Sequence, residues 1–234
     1  MHPDPLHRVG RRATSFHMKG PTPPSVDPRV QAALDAIYGL FAAPTPRVIE
    51  GCPCCIGTRH VDVLLTTPLR ELTGHALWRY VSGAFLTVGG ERDFRYLLPR
   101  ILQLAFCDPG ALPNVEIVLG KLRLVGWTDW KLSERRAIEE LIDLWFDQAL
   151  ARDLLNADEG EVGWETEALL CGAARADLDI TRWLTRLLAP IAEPVRADIA
   201  ERYSKPLASG ALPKSSFWED APDGWRTLAT VFGH

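Results

Sequence analysis

Residues 133–149 read SERRAIEELIDLWFDQA, and their spacing decides the fold class. Ile138, Leu141, Ile142, Trp145 and Ala149 recur three and four residues apart, which gathers them on one stripe of a helix. Glu134, Arg135, Arg136, Glu139 and Glu140 fall on the opposite, wet face, and Ser133 offers an N-cap oxygen. This is the longest helix the sequence implies.

The same period recurs on both sides of it. Upstream, Asp27 caps a helix with Pro28 at its first position, carrying Val30, Leu34, Ile37 and Leu40/Phe41 before Pro44-Thr45-Pro46 stops it. A short amphipathic piece spans 58–66, and Pro68 opens one turn over 69–72. Thr73 caps a further helix, with Leu77, Tyr80, Val81, Ala84, Phe85 and Val88 on one face and Gly89-Gly90 as its end. The pattern from Glu91 to Ala105 continues as helix with Pro99 inside it, where one backbone hydrogen bond is lost and a kink is expected. Asn114 opens the helix of Val115, Val118, Leu119, Leu122 and Val125, which closes at Gly126.

Downstream, a polar loop over 156–163 precedes helices at about 164–176, 180–189, 193–203 and 222–232. Strand signals are nearly absent. The expected fold is all-α, either an antiparallel helical bundle or an irregular HEAT-like helical stack. No motif repeats at a fixed period, so a stack would be irregular.

The 234 residues carry a formal net charge of −4, with 47% hydrophobic and 24% charged residues, which is ordinary globular composition. A mildly acidic chain is a poor coat for nucleic acid or for an anionic membrane, so neither is an expected partner. The longest apolar candidate, 94–106, is interrupted by Arg95, Pro99, Arg100 and Gln103 and is not a membrane span. Residues 1–26 are rich in Pro, His and Arg and read as a flexible leader without a secretory core. Met18 sits at the end of that leader and is an alternative translation start to Met1. Residues 27–234 read as one helical domain with a subdivision possible near 156–163, in a cytoplasmic protein with reduced thiols.

Three of the five cysteines stand within four residues, in Gly51-Cys52-Pro53-Cys54-Cys55, where the helical pattern is interrupted. Three chemistries fit this knuckle. Thiolates in a tight loop suit zinc; Cys52, Cys54 and Cys55, with His60 as the nearest further donor, are the candidate ligands, although no second paired motif completes a site. A Cys-x-x-Cys pair also suits reversible disulfide chemistry, but the βαβ setting of such redox proteins is missing. The third reading is a tight turn packed by small apolar thiols. Cys107 and Cys171 fall on apolar helical faces and read as core.

Familiar enzyme signatures are missing: no His-Glu-x-x-His, no phosphate loop and no Gly-x-Ser-x-Gly turn occurs. His75 near a helix start is a candidate base, with a solvated capping histidine as the alternative. Glu165 and Glu167 complement a helix N-terminus without chemical duty. Among the eight tryptophans, Trp78, Trp145 and Trp183 read as core, while Trp127, Trp130, Trp218 and Trp225 lie near helix ends as core caps. Arg92, Arg95, Arg100, Lys121, Arg123, Arg135 and Arg136 have acidic neighbours and read as a mixed solvated face.

The blocks Gly51–Cys55, Pro68-Leu-Arg-Glu-Leu-Thr-Gly74, Asp93-Phe-Arg-Tyr-Leu-Leu-Pro-Arg100 and Val118-Leu-Gly-Lys-Leu122 resemble a bacterial family of all-helical proteins to which no activity is attached. The resemblance spans about residues 28–150 and implies a bacterial, cytosolic protein, with no catalytic residue to transfer. The functional expectation is a non-enzymatic helical module, scaffold or inhibitor-like, that binds another protein. The alternatives are a metal- or thiol-dependent protein acting through Cys52, Cys54 and Cys55, and an enzyme with an unfamiliar helical site.

Overall fold

The computed structural model describes residues 27–52, 61–159, 164–214 and 217–232. Among the described residues are eleven α-helices and no strand; the only extended pairings are two isolated bridges, so the fold is all-α. The helices are α1 (Pro28–Leu40), α2 (Val61–Thr66), α3 (Gly74–Gly83), α4 (Glu91–Cys107), α5 (Val115–Leu124), α6 (Leu132–Asp158), α7 (Glu165–Arg175), α8 (Thr181–Leu187), α9 (Glu193–Arg202), α10 (Ser204–Ser209) and α11 (Pro222–Phe232). None of the described helices is long and apolar enough to cross a membrane.

Helix α6 is the axis. Its 27 residues extend about 40 Å at the standard helical rise. Ile138, Leu141, Ile142 and Phe146 are almost wholly buried, and α1, α7 and α9 pack along it. The helix begins at Leu132, one residue before the sequence cap at Ser133, because the Glu134 carboxylate reaches back to accept the Lys131 N–H at 3.2 Å. Its acidic side is not wet along its whole length. Asp143 accepts from Trp183 Nε1 at 2.8 Å and from Arg186 at 3.0 Å, which ties α8 to α6.

The N-terminal helices close on the start of α6. The Asp27 carboxylate accepts the Arg29 N–H at 2.8 Å, the cap the sequence implies. At the other end of α1, Phe41 packs on Trp130 with ring centroids 5.4 Å apart, and the Arg95 guanidinium lies 4.3 Å from the Trp130 ring while bonding Glu134 at 2.5 Å. Arg95 is therefore a clamp between α4 and α6 rather than part of a solvated face. Helix α4 runs through Pro99 without a break.

Helices α5 and α7 share an extensive, close contact. A Cβ on Gly172 would stand 3.2 Å from the Val115 carbonyl and 3.3 Å from Glu116 Cα, so any larger residue would push the two backbones apart by a few tenths of an ångström. The tryptophans near helix ends are deep core: Trp127, Trp218 and Trp225 are each at most 1% exposed. Their indoles bond the Ala176 carbonyl, Glu167 and the Ala211 carbonyl, respectively. Trp78, read from sequence as core, is 43% exposed instead: the buried stripe of α3 runs through Leu77, Tyr80 and Val81, and Trp78 lies to one side of it.

Candidate functional site

The face that the sequence places at the end of α3 does not continue as helix. The helix stops at Gly83; Ala84 turns extended and Phe85 takes φ = 62°. A non-glycine residue in the left-handed region costs about 1–2 kcal/mol, and here the cost falls on a bulky aromatic. Several contacts impose it. The N–H groups of Leu86, Thr87 and Val88 all point at the Gly83 carbonyl, at 3.0, 2.9 and 3.3 Å, and the Phe85 N–H bonds the Val88 carbonyl at 3.0 Å. Ala84 and Val88 are buried as anchors, and the Phe85 ring meets Phe94 edge-on at 5.0 Å.

Two polar struts hold the loop from below. Lys121, on α5 and only 4% exposed, donates from Nζ to the Ala84 carbonyl at 3.1 Å. Asp93 accepts from Tyr80 Oη at 2.5 Å and from the Gly90 N–H at 3.0 Å. Burial and the neighbouring Asp93 push the Tyr80 phenol well above its ordinary range, so it remains a donor. Gly89 fills the remaining space at φ = 75°, where a Cβ would lie 2.5 Å from Asp93 Oδ2.

The outcome is that Leu86 stands at the apex, 69% exposed. The extended segment before the cysteine knuckle lies along the loop: Cys52 N–H bonds the Thr87 carbonyl at 2.9 Å and Gly89 N–H the Glu50 carbonyl at 2.7 Å. Alternation along that segment buries Ile49 and leaves Val48 61% exposed. Leu86 divides two clefts. One, about 630 Å³, runs past Val48, Cys52 and Gly90. The other, about 590 Å³, runs past Ile117, Lys121 and Leu124, and Leu124 is 51% exposed.

Cys52 thus borders one of these clefts, paired by its backbone to the loop. Cys54, Cys55 and His60, the other candidate zinc ligands, lie outside the described residues. Among the described residues, no three His, Cys, Asp or Glu side chains gather in a metal-binding group. Cys171 is buried, and burial and then Glu167 push its thiol up, as suits a core residue. Cys107, also read as core, is exposed at the last position of α4. His75 is exposed in the first turn of α3.

Of the two carboxylates read as dipole partners, Glu165 accepts from Arg152 Nε at 2.7 Å, while Glu167 is a buried hub. It accepts from Trp218 Nε1 at 2.6 Å, Tyr203 Oη at 3.0 Å and Arg202 Nη1 at 3.3 Å, docking the C-terminal helices onto α7. Leu86 and Glu116 are the notable residues that the sequence pattern passed over. Leu86 looked like one more residue of a helix, and the sequence signal against it was the Gly83 three residues earlier. Glu116 sits among the apolar residues of α5.

No protein-family model, curated protein or solved structure matches the chain. Its fold and clefts define it only as an all-α protein with a rigid apolar ridge between two grooves.

Proposed function

We propose that the protein is a non-enzymatic interaction module that binds another protein through the ridge of Leu86, with Val48 and Leu124 in the flanking clefts. The observation that carries this reading is the Phe85 backbone. A strained residue persists only where its surroundings over-determine it, and here those surroundings hold a large apolar side chain in water. A helix continued through Ala84 and Phe85 would avoid the strain. A rigid apolar knob between two grooves is instead suited to docking, because little conformational freedom is lost when a partner closes over it. The partner is a protein with an apolar residue for each cleft, and Leu86 is the central anchor.

Placing a photo-crosslinking residue at Leu86 in the full chain, with Glu140 as the control position, identifies the partner by mass. The purified pair is then titrated. Replacing an anchor of this kind by aspartate typically costs more than about 2 kcal/mol, or roughly 30-fold in affinity. L86D with unchanged helix content and unchanged Kd, or cross-linking at 86 no greater than at 140, overturns the proposal.

A further inference from the structure

A third cleft, about 400 Å³, opens between the first turns of α5 and α7 and the middle of α6. Leu112, Pro113 and Trp145 form its apolar wall, Trp164 its rim, and Glu116 and Glu167 its acidic floor. Glu167 has three hydrogen-bond donors, and Glu165 beside it is matched to Arg152. Glu116 differs from both. It is 8% exposed, and its Oε2 is fully buried with no hydrogen-bond partner among the described residues. Burial raises its carboxyl pKa, with the Glu167 charge adding to it; a hydrogen bond from its own backbone and the Arg175 charge act in the opposite sense.

A buried acceptor without a donor is a standing cost that folding has every opportunity to remove, since Gln or Met would fit the same helix position. At the rim, Trp164 is 63% exposed, a large aromatic left in water. The Arg202 guanidinium lies 5.1 Å from its ring, and the rest of the indole is open to an alkyl stem. Glu116 Oε2 lacks a donor, the walls are apolar and aromatic, and Arg152 and Arg202 are paired with Glu165 and Glu167.

We propose that this cleft binds a small monoalkyl cation, an ammonium or guanidinium on a short aliphatic stem, which draws the Glu116 carboxylate round into the cleft and donates an N–H to it while the stem packs on Trp145 and Trp164. The volume falls in the range of small-molecule sites. This reading is independent of the Leu86 surface.

Isothermal titration of the full chain at neutral pH tests it, with n-butylammonium and agmatine as cations, n-butanol as the uncharged control and acetyl-Gly-Arg-Gly-amide as a side-chain source. Either free cation should bind, and butanol should not. E116Q should weaken the cation at least about tenfold, the size of one charge-assisted hydrogen bond, and W164A, an exposed change that leaves the core intact, should weaken it severalfold. E116Q should also melt higher than the parent, since it removes the buried charge, which separates lost binding from lost folding. No binding of either cation, equal binding of butanol, unchanged affinity in both variants, or peptide affinity equal to that of agmatine overturns the proposal.

Discussion

Asp153 offers a sharp test of how α7 is held in place. The sequence supplies no cap at Trp164, and the residue there makes no side-chain bond to the helix start. The cap comes instead from α6: the wholly buried Asp153 accepts the Thr166 N–H at 2.8 Å and the Glu165 N–H at 3.3 Å. In D153A both donors lose their acceptor in a site that water does not readily reach. The shorter, charge-assisted bond is worth about 2 kcal/mol and the longer about 1, giving about 3 kcal/mol of destabilisation. D153N keeps one oxygen for the shorter bond but loses the longer bond and the charge facing the helix N-terminus, about 1 kcal/mol each, and so should cost about 2 kcal/mol. For a chain of this size the alanine change should lower Tm by about 6–12 °C. Urea unfolding followed by far-UV circular dichroism measures both variants, and the shift should appear in the midpoint with the slope unchanged. A D153A shift below about 0.5 kcal/mol, or D153N as damaging as D153A, refutes the capping role.

Further outcomes follow from other residues. G89A should cost at least about 2 kcal/mol, since its Cβ would meet Asp93 Oδ2 at 2.5 Å in a left-handed backbone; thermal melts check this. W218F keeps the ring volume nearest to indole but loses the 2.6 Å bond to Glu167, and should lower stability by about 1.5–3 kcal/mol in urea titrations. The raised Glu116 carboxyl gives a pH signature. Below its ordinary value of 4.5 the group is protonated folded or unfolded and has no effect; above it the folded state holds the proton longer, so stability falls as pH rises toward the raised pKa. The Tm advantage of E116Q should therefore grow from about pH 4.5 upward and then level off, and an advantage independent of pH would contradict the burial of that charge. Cys171 should escape iodoacetamide in the native protein and label fully in urea, as peptide mapping will show.

The helical period was enough to locate most of the fold. Asp27 with Pro28, the stripe of α6 and the terminal helix at Pro222 carry their information locally, in a cap or in residues three and four apart. The misjudged positions depend on distant partners. Ala84, Phe85 and Val88 have helical spacing, yet Lys121 and Phe94 select a loop there. Trp127, Trp218 and Trp225 looked like end caps because their bonding partners lie 49, 51 and 14 residues away. Glu116 was hidden for the opposite reason: a glutamate in a first helical turn is so well explained by the helix dipole that its burial leaves no trace in the sequence.

The Phe85 backbone and the Glu116 carboxylate both break local rules, a left-handed aromatic and a buried acceptor without a donor, and such violations are where function is expected. Both rest on α5. Glu116 opens the helix, Lys121 braces the loop, and Leu124 borders a Leu86 cleft. The eight helical steps from Glu116 to Leu124 span about 12 Å along the axis, beyond the range at which substitutions usually couple without a shared partner. A helix transmits a signal only when it has two arrangements that both sites bias, and α5 is pinned at its start by Gly172 contact and further along by Lys121. The two sites should therefore act independently. E116Q should leave partner affinity unchanged, L124D should leave cation affinity unchanged, and the double variant should show the sum of the two effects within about 0.5 kcal/mol. A cation that tightens or weakens the protein partner by more than about threefold would mean that α5 has a second position, and the partner would then tighten or weaken the cation by the same factor.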